Sequence, residues 1–185
     1  MAGKKLRAWK TLSKKMILDH GKFLKVEEHR IELPDGQIIP DWTWVIIPDA
    51  VIVLARLVNK RFLIFRQTKY ALEGISLAPV GGMLEVGEEP LTAAKRELRE
   101  EMGCEAAEWM PLGCYVLDPN RGVARVNYYL ALDARRVTEP DSDDLEDQEM
   151  LEVTRDQLER ALFTGEFKEA TWAGLVSMAL NRLKE

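Results

Sequence analysis

Residues 81–104, which read GGMLEVGEEPLTAAKRELREEMGC, constrain the fold more than any other part of the chain. Pro90 suits the first turn of a helix and Gly103 suits its end, so together they frame a helix of about 13 residues. Apolar residues recur within it at spacings of three and four, which predicts one stripe facing a core. The stripe consists of Leu91, Ala94, Leu98 and Met102.

Three glutamates, Glu97, Glu100 and Glu101, lie near the C-terminal end of this helix, where the backbone carbonyls already carry partial negative charge. Like charges one turn apart cost about 0.2 to 0.5 kcal/mol per pair. A hard divalent cation would reverse that sign, since Mg²⁺ and Mn²⁺ prefer oxygen ligands and bridge to phosphate oxygens. The helix alone leaves a second interpretation open. In it, a solvated acidic face is balanced by Lys95, Arg96 and Arg99.

The spacing of the whole stretch matches the signature Gly-x5-Glu-x7-Arg-Glu-U-x-Glu-Glu-x-Gly-U, in which U is apolar and Cys104 fills the last position. The matching residues are Gly82, Glu88, Arg96, Glu97, Leu98, Glu100, Glu101, Gly103 and Cys104. The chain therefore resembles the Nudix hydrolase family. That resemblance implies an α/β (α+β) fold, an αβα sandwich with a mixed sheet, and metal-dependent cleavage of a nucleoside diphosphate linked to a second moiety, X.

The resemblance also implies roles for individual residues. Glu97, Glu100 and Glu101 would hold Mg²⁺, for which Mn²⁺ can substitute, and Arg96 and Glu88 would pair to brace them. Gly82 and Gly87 would let the preceding loop turn tightly, which places Gly82 at the metal and at the substrate. The products would be a nucleoside monophosphate and phosphorylated X.

The signature stretch from Gly82 to Cys104 is called the box below. Outside the box, the chain resembles the ADP-ribose pyrophosphatase branch of the family. Residues 1–47 resemble the extra β-subdomain of that branch, which implies homodimerisation and contact with substrate. The same resemblance implies that residues 48–185 form the Nudix hydrolase domain. RQTKY, residues 66–70, resembles Arg-Gln-Tyr-Arg of the branch, with Lys69 in place of the second Arg. Ala78 stands where the branch has a glutamate. ADP-ribose or a related ADP-sugar is the first expectation for the substrate.

Three alternatives to that function stay open. One is a pyrophosphatase for GDP-mannose or other nucleotide sugars, and another is a pyrophosphatase for dinucleotides such as NADH or FAD. The third is a non-catalytic nucleotide-sugar sensor. The presence of every box glutamate favours an enzyme over the sensor.

Alternating apolar and polar residues predict two β-hairpins, at 23–47 around Pro34, Asp35 and Gly36 and at 50–67 around Asn59 and Lys60. Residues 124–133 predict another strand, and the acidic stretch 138–149 predicts an exposed loop. Thr154 and Gln157 fit a capping box that begins a helix ending near Leu162. A last helix is predicted from Ala170 to Leu183.

Several side chains outside the box are candidates for catalysis or binding. Asp147 and Glu149, with Glu146 as a third choice, are candidate general bases in the acidic loop, and the alternative is a merely solvated loop. Trp42 and Trp44 lie two residues apart in a predicted strand and so share one of its faces. They either stack a nucleobase or pack in a core or dimer interface. Two basic side chains near the end of a strand either hold a phosphate or are exposed there without a binding role. They are Arg66 and Lys69.

The remaining properties of the chain exclude several classes of protein. A hydrophobic content of 46% indicates a globular protein, and the net charge of −5 argues against general binding to nucleic acid or to anionic membranes. No apolar run reaches about 18 residues and the basic N-terminus lacks a signal-peptide core, so a cytoplasmic protein is expected. Cys104 and Cys114 are predicted to be reduced and unligated. No chemistry is assigned to His20 and His29.

Overall fold

The structure, a computed structural model, describes residues 6–141 and 147–183. Contacts divide the chain into two compact units. The N-terminal unit comprises Met1–Pro48 and Val116–Ala124, and the helix-bearing unit comprises Asp49–Tyr115 and Arg125–Glu185. The elements, in chain order, are β1 (Lys10–His20), β2 (Leu24–Glu32), β3 (Ile38–Ile46), β4 (Ala50–Leu57), β5 (Phe62–Thr68), β6 (Ile75–Ala78), β7 (Val80–Met83), α1 (Pro90–Met102), β8 (Cys104–Glu105), β9 (Glu108–Asp118), β10 (Val123–Arg136), β11 (Gln148–Val153), α2 (Arg155–Phe163) and α3 (Ala170–Arg182).

The N-terminal unit is built on an antiparallel sheet in the order β1-β2-β3. The predicted hairpin of β2 and β3 is confirmed, and Gly36 has a φ of 90° in its turn, a conformation that glycine adopts without strain. Strand β1 was not predicted. Its pairing with β2 shifts register twice, and all eleven of its residues are exposed, so its sequence lacks a regular period-two pattern.

The helix-bearing unit contains a mixed sheet whose main order is β11-β5-β4-β10-β8. Strands β6, β7 and β9 pair with β5, β4 and β10 respectively. The pairing of β4 with β10 is parallel, whereas β5 pairs antiparallel with β4, β6 and β11. The predicted second hairpin, β4 and β5, and the predicted strand within β10 are therefore confirmed.

Successive side chains of this sheet enter two separate apolar clusters, because neighbours along a strand point to opposite faces. Helix α1 packs on one face. The largest contributors there are Val51, Val53, Leu63, Phe65, Val80, Leu98 and Met102. Helices α2 and α3 cover the other face. Its contributors include Ile52, Leu54, Ile64, Leu77, Leu130, Leu158 and Leu175. This is the predicted αβα arrangement, and none of the helices in the described part of the chain is long and apolar enough to cross a membrane.

The helix ends follow the sequence signals closely. Helix α1 begins at Pro90 and is followed by Gly103 in the left-handed conformation, and the Thr154 and Gln157 capping box begins α2. One predicted member of the α1 stripe is wrong, since Leu91 is 38% exposed and Ala93 is buried instead. The predicted acidic loop is also too long, because Glu149 lies within β11.

Candidate active site

The Gly-rich approach to α1 is shaped by two glycines in β7. A Cβ on Gly81 would overlap the backbone of Val51 in the paired strand, and a Cβ on Gly82 would overlap the side-chain carboxylate of Glu97. The absence of a side chain at Gly82 therefore lets the Glu97 carboxylate lie directly on the strand. Gly82 and Glu97, predicted from the box to share one site, are adjacent in the structure.

Glu97 is the most buried acid of the box, with only 7% of its surface exposed. Burial raises its pKa, because a low-dielectric environment disfavours the charged form, while hydrogen bonds from Arg96 and Glu101 act in the opposite direction. The net effect is a carboxyl group whose pKa is raised and which accepts a hydrogen bond from Arg96 of the box.

Arg96 joins the acids of the box through its guanidinium. Its Nη1 donates to Glu97 Oε1 at 2.7 Å and to Glu100 Oε2 at 3.1 Å. Its Nε and Nη2 each donate to a different oxygen of Glu88 at 3.0 Å, and Nη2 also donates to the Met83 carbonyl at 3.2 Å. These contacts raise the pKa of Arg96, with the hydrogen bonds to Glu88 as the largest cause.

Glu88 fixes the loop between β7 and α1. Besides its two contacts with Arg96, its Oε2 accepts the backbone N–H of Glu85 at 3.0 Å. Hydrogen bonds from Arg96, followed by the one from Glu85, lower the pKa of this carboxyl. Glu88 is therefore charged across the neutral range and pairs with Arg96 as the resemblance implies.

The donor set of the box suits a hard divalent cation in its chemistry. It offers carboxylate oxygens from Glu97, Glu100 and Glu101, which lie within about one helical turn of one another. Within residues 6–141 and 147–183, however, no three acidic, histidine or cysteine side chains adopt a metal-ligating arrangement. Arg96 Nη1 instead bridges Glu97 and Glu100.

The backbone after β10 is attached to the C-terminal end of α1. Val137 and Thr138 donate their N–H groups to the Gly103 carbonyl, and Asp141 donates to the Glu100 carbonyl at 2.7 Å. A Cβ on Gly103 would overlap the Thr138 carbonyl oxygen. The start of the acidic stretch is therefore held against the helix that carries the box glutamates, a contact that no sequence motif indicates.

The candidate general bases and basic side chains outside the box lie elsewhere in the helix-bearing unit. Arg66 and Glu149 are direct partners across β5 and β11, and Arg66 Nη1 lies 3.4 Å from Glu149 Oε2. Together with Asp147 they line a polar cavity of about 260 Å³. Lys69 follows β5 directly, and Glu146 lies outside the described residues.

Arg66 also lines a groove of about 580 Å³ with Ile64, Leu77 and Leu151. These three side chains belong to the cluster that α2 and α3 cover. Alternation along the strands therefore puts Arg66 and Glu149 on the α2 and α3 face of the sheet. The box helix packs on the other face, so the structure gathers the candidates in two groups.

Both candidate base-stacking tryptophans make contacts within the N-terminal unit. Trp42 Nε1 donates to the Asn120 carbonyl at 2.7 Å, and its ring meets the edge of Trp9 at a centroid distance of 5.3 Å. Trp44 stacks on His29 at 5.1 Å, and a Cβ on Gly122 would overlap its indole. Contacts of this kind are expected if the two tryptophans pack within the unit, which is the alternative to stacking on a nucleobase.

His29, to which the sequence assigned no chemistry, is the buried polar centre of the N-terminal unit. It is 3% exposed, and its Nε2 lies 2.8 Å from Glu27 Oε2. The spacing of Glu27 and His29, two residues apart on a strand, was the available signal that they share a face. His29 and Trp44 thus form one packed layer across β2 and β3.

Comparison with known proteins agrees with this geometry. Residues 47–173 match the NUDIX domain, and residues 9–45 match the nucleoside diphosphate sugar hydrolase N-terminal domain. A protein named ADP-ribose pyrophosphatase from Bacillus subtilis (strain 168) is 31% identical over 160 residues, which are 86% of this chain and 84% of the relative. The Methanol dehydrogenase activator of Bacillus methanolicus is 35% identical over 108 residues, which are 57% of each chain.

A solved structure of an ADP compounds hydrolase has the same fold, with a TM-score of 0.80, 20% identity and coverage of 98% of this chain and 97% of the other. The helix and glutamates of the box, the αβα arrangement and the match over most of the chain lead to one assignment. The chain belongs to the Nudix family and is a pyrophosphohydrolase of its ADP-ribose pyrophosphatase-like branch.

Proposed function

We propose that this protein hydrolyses the diphosphate bond of a nucleoside diphosphate linked to a second moiety, with ADP-ribose or a related ADP-sugar as the first candidate. The observation that carries the proposal is the contact of Glu97 with Gly82 and Arg96, which gathers the box carboxylates beside strand β7. The match of residues 9–45 to a nucleoside diphosphate sugar hydrolase domain supports the substrate class.

Nudix hydrolases use divalent metal ions, and we propose Mg²⁺, with Mn²⁺ as a substitute. Glu97, Glu100 and Glu101 would hold the cation, with Gly82 providing the space beside Glu97. When bound, the cation neutralises phosphate oxygens and lowers the pKa of water. Glu88, through its two contacts with Arg96, keeps the guanidinium beside these carboxylates.

The net reaction adds one water across the P–O–P bridge. The water oxygen becomes part of one phosphate product, the bridging oxygen leaves with the other, and both hydrogens of the water are released as protons when the two products are dianions. A nucleoside monophosphate and phosphorylated X result. Of the two loop acids, Asp147 is the first candidate that we propose to accept the proton of the attacking water. Glu149 is the second, because its contact with Arg66 lies on the face of the sheet opposite the box helix.

A substrate panel with Mg²⁺ or Mn²⁺ tests the function directly. The panel contains ADP-ribose, an ADP-sugar, GDP-mannose, NADH and FAD, with products identified by mass. We expect ADP-ribose or the ADP-sugar to give AMP with the highest kcat/KM, and hydrolysis in H₂¹⁸O to label one phosphate product. Faster turnover of GDP-mannose or of a dinucleotide would replace the ADP-sugar assignment. Binding of all five without turnover would support the sensor.

We also propose that residues 1–47 form a subdomain that contacts substrate and mediates homodimerisation. Strand β1 exposes Leu12, Met16, Ile17 and Leu18, each more than two-fifths accessible, which is an apolar surface suited to a partner copy. Light scattering should give twice the chain mass at micromolar concentration, and a monomer mass would contradict the proposal. A cytoplasmic location stays a prediction of the sequence.

A further inference from the structure

Arg96 uses all of its hydrogen-bond donors within the box. A guanidinium carries five N–H groups, and the five contacts of Arg96 are two to Glu88 and one each to Glu97, Glu100 and the Met83 carbonyl. The contacts divide by nitrogen. Nε and Nη2 face Glu88 and Met83, whereas Nη1 faces Glu97 and Glu100.

The positive charge of the Arg96 guanidinium partly balances the negative charges of the acids around it. One guanidinium charge faces the carboxyl groups of Glu88, Glu97 and Glu100, and the side chain of Glu97 is only 9% exposed. A buried carboxylate without a counter-ion is unfavourable, because burial removes the water that would otherwise solvate its charge. Arg96 therefore supplies positive charge that the carboxylates at this position require.

We propose that Arg96 is an exchangeable counter-ion. Its Nη1 holds Glu97 and Glu100 while no divalent cation is bound, and cation binding replaces these two contacts while Glu88 retains the guanidinium. The inference rests on the proposed function only in taking Glu97 and Glu100 as cation ligands. Two observations carry it. Nη1 donates to one oxygen each of Glu97 and Glu100, two of the three carboxylates proposed to hold the cation, and Glu88 gives the guanidinium a second, bidentate attachment.

The alternative is a permanent brace, in which all five contacts persist whether or not a cation is bound. The two mechanisms differ in what a cation does for a protein that lacks the guanidinium. If Arg96 is exchangeable, a bound cation takes over its role, so loss of Arg96 harms the cation-free protein more than the loaded one. A brace is needed in both states, so the harm is equal or greater when the cation is bound.

The test compares the melting temperatures of wild type and Arg96→Gln, each in EDTA and in saturating MgCl₂. We expect Arg96→Gln to melt below wild type in EDTA, and that deficit to shrink by at least about half in Mg²⁺, because ligand binding stabilises the state that it completes. A deficit that stays the same or grows in Mg²⁺ overturns the exchange and supports the brace. Arg96→Lys, which keeps one charge but lacks the planar fork, is measured in the same way if the Gln variant does not fold.

Arg99→Gln is the matched control, since Arg99 lies on the same helix and pairs with Glu105 outside the box. Its deficit should be equal in EDTA and Mg²⁺. In ¹⁵N spectra of wild type, the Arg96 Nη1 signals should move on Mg²⁺ addition, and unchanged signals overturn the inference. A magnesium-stabilised protein with an unchanged deficit leaves the proposed function intact. If Mg²⁺ and Mn²⁺ neither stabilise nor shift wild type, the cation assignment falls and the exchange falls with it.

Discussion

The two units of the chain differ in how far they bury the apolar side chains of their strands. In the helix-bearing unit, Val51, Val53 and Leu54 of strand β4 are fully buried, since α1 covers one face of the sheet and α2 and α3 cover the other. In the N-terminal unit, all eleven residues of β1 are exposed, including Met16 and Leu18. The helix-bearing unit has a core on both faces of its sheet, whereas β1 of the N-terminal unit has only exposed side chains.

This difference explains where chemistry can be located. Pre-organised catalytic groups need side chains that packing holds in place, and the box acids lie on a helix anchored by Ala94, Leu98 and Met102. The buried polar pair of the N-terminal unit, His29 and Glu27, instead packs against Trp44. We therefore expect box variants to alter turnover and N-terminal variants to alter binding or assembly.

The largest effect should come from a box carboxylate. Glu101→Gln should fold normally but reduce kcat by about 10⁴-fold or more, because it removes a charge that acts on the transition state. Steady-state kinetics at saturating Mg²⁺ measure this. Glu159→Gln, an exposed acid on α2, is the matched control and should retain wild-type kcat. Unchanged turnover of Glu101→Gln would remove Glu101 from the proposed metal site.

The loop acids should have the next largest effect if one of them accepts a proton. Asp147→Asn or Glu149→Gln should then lower kcat by about 10² to 10⁴-fold with little change in KM. The exposed Arg66 to Glu149 ion pair is worth about 1 kcal/mol or less, which is roughly a fivefold effect. Glu152→Gln, which removes an exposed acid of the same strand that pairs with Arg61, therefore serves as the control. If Glu149→Gln matches Glu152→Gln and Asp147→Asn is fully active, neither loop acid is the general base.

Truncations of leucine test the contrast in packing directly. Leu98→Ala, at a fully buried position under α1, should lower the free energy of unfolding by about 2 to 5 kcal/mol because it leaves a cavity. Leu18→Ala, 42% exposed on β1, should change it by about 0.5 kcal/mol or less. Urea denaturation at low protein concentration measures both. Similar losses for the two variants would show that β1 is buried in solution.

Local signals in the sequence were sufficient for much of the fold. Pro90 and Gly103 gave the ends of α1, and Thr154 with Gln157 gave the start of α2, because capping depends on residues close in the chain. Strand β1 escaped prediction because two register shifts break its alternation. This strand is defined by its pairing with β2, and the sequence of β1 alone does not show which segment it pairs with.

In the candidate site, too, contacts between residues close in sequence were predictable, and contacts between distant residues were not. The box motif gathers Gly82, Glu88, Arg96 and Glu97 correctly because they lie within 16 residues of one another. The Arg66 to Glu149 contact spans 83 residues and depends on the register of β5 with β11, for which the sequence carries no local signal. For the same reason, the hydrogen bond from Asp141 to Glu100 was found only in the structure.

Binding by the N-terminal unit should be visible in KM. If Trp44 stacks a nucleobase, Trp44→Ala loses about 1 to 3 kcal/mol of binding and raises KM while kcat stays constant. Trp42→Ala tests the neighbouring ring, and Phe23→Ala is the control because Phe23 is an exposed aromatic of the same unit. An unchanged KM with a lower melting temperature would mean that Trp44 serves only the His29 packing layer.

The smallest effect should be a difference in pH dependence between the two units. In the N-terminal unit, hydrogen bonds from Lys25 and from the Asn120 backbone lower the pKa of Asp19 and Asp118 respectively. A lowered folded pKa gives stability that is present above the ordinary aspartate pKa and is lost as the pH falls through the folded value. In the helix-bearing unit, burial raises the pKa of Glu97.

The raised pKa of Glu97 has the opposite consequence. The folded protein then binds more protons than the unfolded chain between the ordinary glutamate pKa and the raised value, so stability falls as the pH rises through that window. One proton accounts for at most about 1.4 kcal/mol per pH unit. Unfolding free energies measured in EDTA should therefore fall with pH more steeply for wild type than for Glu97→Gln, with Glu159→Gln parallel to wild type. Mg²⁺ should remove the difference, because a cation takes the place of the proton. Parallel curves for wild type and Glu97→Gln in EDTA would show that Glu97 is already ionised across this window in the folded protein.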